Sequence, residues 1–374
     1  MKNLVRLILL AAILFVFITG PSEKRQMLRD DGPYLCAEIS PEPSLSPVPV
    51  KEPIIYARKE IVYEGAPQVL HILELDLSNP GLEIIPVLAR DQIFGFEFLS
   101  DIDKRYKAAA TINAGFNFAY GQPSGMVIQN GKLISSSRGY GRILLIEGGK
   151  ARFVPPPFRV WLETEDTRIP VDLVNPYPYE KGIMVFTPEY GPTNRMDTEY
   201  AACVVVNGTV QLAGIVSGEL DIPDDGFVIA DLNTEHSPIL GLSSGRSVRI
   251  MLQEQVQQGY QCSGSLVENG ENVAKDRDEW AGNLNLPTPR TAVGIKDDNT
   301  LVFLVVDGRQ PGYSTGVTGR QLADILISLG VTEAALLDGG ASSELIYNGK
   351  IVNRPSTGKE RLLASAFVVK YNSD

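Results

Sequence analysis

Residues 301–343 read LVFLVVDGRQPGYSTGVTGRQLADILISLGVTEAALLDGGASS, and they hold two apolar runs, each closed by Asp-Gly. Residues 301–306 and 334–337 have the composition of buried strands. Between them, residues 318–329 predict a helix. Thr318 and Gln321 form a T-x-x-Q capping box, Leu322, Ile325, Leu326 and Leu329 form one apolar stripe, and Gly330 sits at the C-cap position. Strand, helix, strand predicts a right-handed parallel βαβ unit. Asp307 and Asp338 would then lie past the carboxyl ends of parallel strands, the edge where α/β sheets place ligands. Upstream, Arg290 opens a strand that turns through residues 296–300 into residues 301–306. Antiparallel pairing there would carry Arg290 to the end that bears Asp307.

These residue types suit an anion, although each has a plainer reading. Gly339 and Gly340 after a strand can expose backbone N–H groups as an anion nest, with Ser342 and Ser343 adding hydroxyl donors. The plainer reading is a tight turn into the next hairpin. Arg309 can grip phosphate with two parallel hydrogen bonds, or simply pair with Asp307. Asn113, in the stretch INAGFNF of residues 112–118, either marks a turn or offers its amide to a sugar hydroxyl, with Phe116 or Phe118 as a stacking wall.

The chain has 374 residues, and from position 56 onward it shows no second linker and reads as one domain, 56–374. Asn-Gly pairs at 130–131, 207–208, 269–270 and 348–349, and Gly148-Gly149, predict two-residue β-hairpins. The expected class is α+β: a strand-rich mixed sheet with several hairpins and one parallel βαβ unit carrying the active-site loops. A net charge of −11 argues against nucleic acid or anionic membrane as general partners, while leaving room for a local arginine site. Lys2 and Arg6 precede an apolar run over residues 7–18, so residues 1–20 read as a signal peptide or N-terminal signal anchor. Residues 21–55 follow as a proline-rich spacer, with Pro41, Pro43, Pro47, Pro49 and Pro53. The expected location is extracytoplasmic, either anchored by the N-terminus or secreted, with membrane contact through that segment alone. Cys36, Cys203 and Cys262 form no disulfide framework. Cys203 reads as a buried thiol, with a Cys203–Cys262 bridge as the other option. His71 and His236 are too few for a histidine-rich zinc site.

The segments INAGFNF, FTPEYGPTNR, PRTAVG, VVDGRQPGYSTG and LLDGGASSELIYNGKIVNRPS occur in that order, and together they resemble the phosphodiester glycosidase family. The chain departs from the family pattern at Ala341, where a third glycine is usual, at Glu344, where threonine is common, and at Phe116-Asn117. The resemblance implies cleavage of sugar 1-phosphodiesters of the α-N-acetylglucosamine-1-phospho type in envelope or extracellular glycans or glycolipids. It implies catalytic roles for Asp338, Asp307, Arg309 and Arg290, and substrate binding by Asn113, Gly339, Gly340, Ser342 and Ser343. No cofactor is expected and no metal ligand is assigned, with a divalent metal left open. Two carboxyls about 5 Å apart would give retention of configuration, and roughly 6.5–9.5 Å inversion. The competing readings are a metal-assisted phosphodiesterase using Asp307 and Asp338 as ligands, a non-catalytic wall-polymer-binding module, and a structural envelope protein.

Overall fold

The computed structural model describes residues 52–372; the N-terminal signal segment and nearly all of the spacer lie outside them. Among the described residues the fold is dominated by antiparallel sheets, with two α-helices, Leu99–Tyr106 and Gly319–Ser328. A seven-stranded sheet runs Ile54–Tyr63, Ala66–Asp76, Thr300–Val306, Arg290–Lys296, Val331–Leu336, Ser265–Glu268, Glu271–Asn272. A five-stranded sheet packs against it, with Ala110–Asn113 at its centre between Leu345–Tyr347 and Ser365–Tyr371. Val293, Phe303 and Val305 of the first sheet share one core with Ile112, Leu345 and Phe367 of the second. The Phe303 and Phe367 rings are centred 5.0 Å apart.

The unbroken apolar run at residues 301–306 now has its cause. Leu301, Phe303 and Val305 point into the intersheet core, whereas Val302, Leu304 and Val306 pack with Leu322, Ile325 and Leu326 of the helix on the outer face. A strand covered on both faces has no solvent-facing position. The other helix covers the outside of the second sheet, Leu99 and Ile102 lying against Ile85, Val87 and Val368. The layers are therefore helix, sheet, sheet, helix. Further sheets within residues 127–262 enclose a separate core around Phe158, Leu162, Val185 and Ile229.

The predicted helix is present with its capping box: the Thr318 hydroxyl accepts from the Gln321 N–H, and the Gln321 side chain accepts from the Thr318 N–H. Thr318→Ala is expected to lower stability by about 1 kcal/mol, read as a fall in urea midpoint at unchanged slope. All five predicted hairpins form. The βαβ expectation needs correction. Thr300–Val306 and Val331–Leu336 run in the same direction, but Arg290–Lys296 lies between them and pairs antiparallel with both. The crossover helix spans an intervening strand, so no parallel hydrogen-bonded pair forms there. Among the described residues, parallel pairing joins only Leu173–Val174 and Met184–Phe186.

Cys203 and Cys262 are both free, each buried in a different core. Burial pushes each thiol up to about 12, as expected of inert packing residues. Cys36 lies outside the described residues. Among the described residues, no helix is long and apolar enough to cross a membrane.

Candidate active site

Three neighbouring strands end at one edge of the larger sheet. Arg290 stands opposite Val306, and Ala292 opposite Leu336. Arg290, Asp307 and Asp338 therefore share that edge despite the altered topology. The second sheet delivers Asn113 to the same place. Its Nδ2 donates to the Asp338 carbonyl at 2.7 Å and to the Ala114 carbonyl at 3.2 Å. Its Oδ1 accepts from Thr291 Oγ1 at 2.9 Å and from the Glu344 N–H at 3.1 Å. Both amide hydrogens and both lone-pair directions are engaged, leaving none for a sugar hydroxyl. Asn113 is the brace that joins the two sheets beneath the site.

The two aspartates have different surroundings. Asp307 is 1 % exposed. Its Oδ2 takes Tyr313 Oη at 2.9 Å and His71 Nε2 at 3.1 Å, while its Oδ1 takes Asn353 Nδ2 at 3.1 Å; the Arg354 N–H spans both oxygens. His71, itself buried, contacts the Tyr56 hydroxyl through Nδ1 at 2.9 Å. This assigns the Nε2–H tautomer, donating to Asp307 while Nδ1 accepts from Tyr56. Asp307 is thus a saturated internal anchor for the loop that follows it. It forms no ion pair with Arg309 among the described residues.

Asp338 is half-buried and borders a small recess with Asn117, Ser342 and Arg361. Burial raises its carboxyl above the ordinary aspartate range, against the Ser342 hydroxyl, the Arg361 charge and the Gly339 N–H, which each favour the ionised form. The glycine loop consequently serves the protein's own carboxylate. Its second amide is also engaged, because the Gly340 N–H donates to the Pro289 carbonyl at 2.8 Å. The open anion nest expected at Gly339-Gly340 is therefore closed. Ser343 turns inward, its hydroxyl hydrogen-bonded to Thr291 Oγ1 at 3.1 Å.

Positive charge comes instead from side chains. Arg290 is 5 % exposed, and its guanidinium donates to the carbonyls of Val317 and Leu286, each at 3.1 Å. Burial, followed by the nearby Arg309 charge, lowers it to about 10. Arg309 itself is exposed, at φ +59°, with its guanidinium over Gly340. A Cβ at Gly340 would come within 3.3 Å of Arg309 Nη2, so the glycine makes room for the arginine. A buried arginine solvated by carbonyls, a second arginine beside it, and Arg361 near Asp338 gather three cationic side chains at one sheet edge of an acidic protein.

Several features of the site have weak signals in the sequence. His71 interrupts the apolar run at residues 69–75, and Trp280 stands alone in a polar stretch. The Trp280 ring is centred 6.2 Å from Phe116 and 5.7 Å from Tyr140. Asp278 fixes this cluster by accepting from the Trp280 N–H at 2.8 Å and from Tyr140 Oη at 2.8 Å. Burial opposes its ionisation, but hydrogen bonds from Ser263, Ala281, Tyr140 and Gly264 outweigh that and hold the carboxyl low. Arg361 has no sequence signal; it reaches Asp338 from a distant loop.

Residues 190–370 match the family model described as phosphodiester glycosidase. That segment belongs to the phosphodiester glycosidase family. It contains Arg290, Asp307, Arg309, Asp338 and Arg361, whereas Asn113 and Phe116 precede it. An SPbeta prophage-derived uncharacterized protein of Bacillus subtilis, YomE, is 37% identical over 109 residues, which is 29% of this chain and 17% of that protein. Among solved structures, a hypothetical protein from Synechocystis aligns at TM-score 0.73 with 21% identity, over 85% of this chain and 62% of the other. A Burkholderia pseudomallei protein described as exported aligns at TM-score 0.62 with 20% identity, over 82% of this chain and 74% of the other. These two likenesses establish a shared fold. The phosphodiester glycosidase segment supports a glycosyl-phosphodiester hydrolase at the level of the family.

Proposed function

We propose that this chain hydrolyses the bond between the anomeric carbon and the phosphate oxygen of a sugar 1-phosphodiester. The observation that carries this reading is the isolation of Asp338. It is the half-buried carboxyl at the site edge, with the Arg361 charge beside it and Arg309 over the following Gly340, while the second aspartate is saturated inside the protein. The phosphodiester would lie against the exposed arginines, with Arg290 adding its field from below. The sugar would face Phe116 and Trp280. Asp338 acts at the anomeric carbon, either by direct attack or by deprotonating a water that attacks it. The carbon–oxygen bond breaks with its electron pair moving to the phosphate oxygen, whose new charge the arginines stabilise. Water supplies hydroxyl to the sugar and, after exchange with solvent, a proton to the phosphomonoester. Such a leaving group needs little help from a general acid, so one acting carboxyl suffices.

Asp307 takes the role of a positioning residue, holding the 307–314 loop that presents Arg309. Its oxygens already accept N–H and O–H donors, a surrounding unlike that of a metal ligand. The extracytoplasmic setting is part of the proposal and rests on the charge and apolar pattern of residues 1–20.

The test is release of reducing sugar from a panel of sugar 1-phosphodiesters by the purified chain. Appearance of sugar 1-phosphate instead would overturn the reading. Arg309→Ala is expected to raise KM about tenfold or more and to weaken its dependence on salt, because a charge-assisted contact to phosphate contributes roughly 1.5–3 kcal/mol. An unchanged KM in steady-state kinetics would remove Arg309 from the phosphate site.

A further inference from the structure

We propose that the site processes an extended glycosyl-phosphodiester polymer, held along a track of exposed aromatic rings that leads away from Asp338. This inference rests on the glycosidase reading and specifies the substrate class. The track starts where Asn117 borders the Asp338 recess and continues along residues 116–121. Phe118 is 43 % exposed and Tyr120 64 % exposed; Tyr177, 38 % exposed, lies edge-on to Tyr120 at 5.9 Å. Tyr177 in turn contacts Phe94 at 5.6 Å. Tyr120, Tyr177 and Phe94 thus form one continuous ring surface, with Phe118 exposed two residues before Tyr120, and contiguous apolar patches of this kind mark interaction sites.

The loop is built to hold these rings out. The Phe118 N–H donates to the Gln122 carbonyl at 2.7 Å, and the Ser124 N–H to the Phe116 carbonyl at 3.0 Å. Gln122 Nε2 donates to the Asn175 carbonyl at 2.8 Å, and the Gly95 N–H to the Tyr120 carbonyl at 2.8 Å. Tyr120 adopts φ +64°, a conformation unfavourable for an aromatic residue. Strain and an exposed ring at one position gain the fold nothing, which argues for a ligand.

The chemistry of the track selects that ligand. Flat exposed rings match the C–H faces of pyranoses, and guanidinium groups accompany them. Arg138 lies over the Phe118 ring at 5.7 Å, and Arg195 over Phe94 at 4.6 Å. Arg138 also pairs with Glu180, while Arg195 forms no ion pair among the described residues. Arg195 opens into a recess of 370 Å³ shared with Phe94, Tyr190, Asp91 and Glu189. The two carboxylates there are already paired, with Arg105 and Lys132. Alternating rings and cations fit a chain in which sugars alternate with phosphodiesters. A single capped sugar phosphate would engage the Asp338 edge and leave the track bare.

The experiment compares two substrates of one chemistry, poly(N-acetylglucosamine 1-phosphate) and its single methyl-capped repeat, with wild type and the Tyr120→Ala/Tyr177→Ala double variant. Wild type should show at least about a tenfold lower KM per chain for the polymer, one decade of affinity corresponding to roughly 1.4 kcal/mol. The double variant should lose that advantage and keep its kcat/KM on the single repeat. Tyr120→Trp/Tyr177→Trp, which keeps the platforms, should retain the preference for polymer. Equal KM for both substrates in wild type, or an undiminished polymer advantage in the double alanine variant, would overturn the inference. Retardation in gels containing the polymer gives a readout independent of turnover. If neither substrate is cleaved but retardation is lost in the double variant, the reaction assignment falls and the track stands.

Discussion

Replacing Asp338 by asparagine is expected to reduce kcat on a sugar 1-phosphodiester by about 10³-fold or more, with the folded structure unchanged. Asparagine preserves the shape beside Ser342 and Arg361 but can neither attack the anomeric carbon nor take a proton from water. Circular dichroism and the urea midpoint should stay near wild type, because the Asp338 carbonyl, not its side chain, supports Asn113. The wild-type pH profile supplies an independent check. A nucleophile or base must be ionised, so kcat should fall as pH drops through the pKa of Asp338. Burial raises that pKa, placing the acid limb above the roughly 3.9 of an ordinary aspartate. An acid limb that persists in Asp338→Asn would assign it to another group.

Asp307→Ala should behave in the opposite way, lowering stability by about 3–5 kcal/mol. It strands His71, Tyr313, Asn353 and the Arg354 N–H, all donors that face the carboxylate inside the protein. Asp307→Asn should recover only part of the loss, since its amide nitrogen points a donor at other donors. The variant that still folds should show a raised KM, because the 307–314 loop that presents Arg309 loses its anchor. A urea titration with slope equal to wild type measures the first effect. A stability change below about 1 kcal/mol would contradict the role assigned to this network.

The sequence displayed the strands, the capped helix and the hairpins because each has a local signal: a period, a cap, or an Asn-Gly pair. It misplaced the pairing around the crossover. Residues 292–295 form a short apolar stretch with no alternation that tells an intervening strand from an edge one, and a helix crossover is compatible with skipping a neighbour. The edge that collects Arg290, Asp307 and Asp338 was nevertheless readable, since strand direction was right even where adjacency was not. The chemistry of individual groups was less legible. Asp307 and Asp338 both follow apolar strands and precede glycine, and only three-dimensional neighbours such as His71 and Arg361 distinguish them. Gly339 and Gly340 have the composition of an anion nest, yet Asp338 and Pro289 occupy their amides. Asn113 reads as a ligand amide because its four partners come from elements as far along the chain as Glu344.

The carbon–oxygen cleavage proposed for this site is tested most directly by hydrolysis of a sugar 1-phosphodiester in ¹⁸O-labelled water, with mass analysis of both products at early times. The account predicts the label on the released sugar and none on the phosphomonoester. Label on phosphate, with the sugar unlabelled, would mean attack at phosphorus and would contradict it.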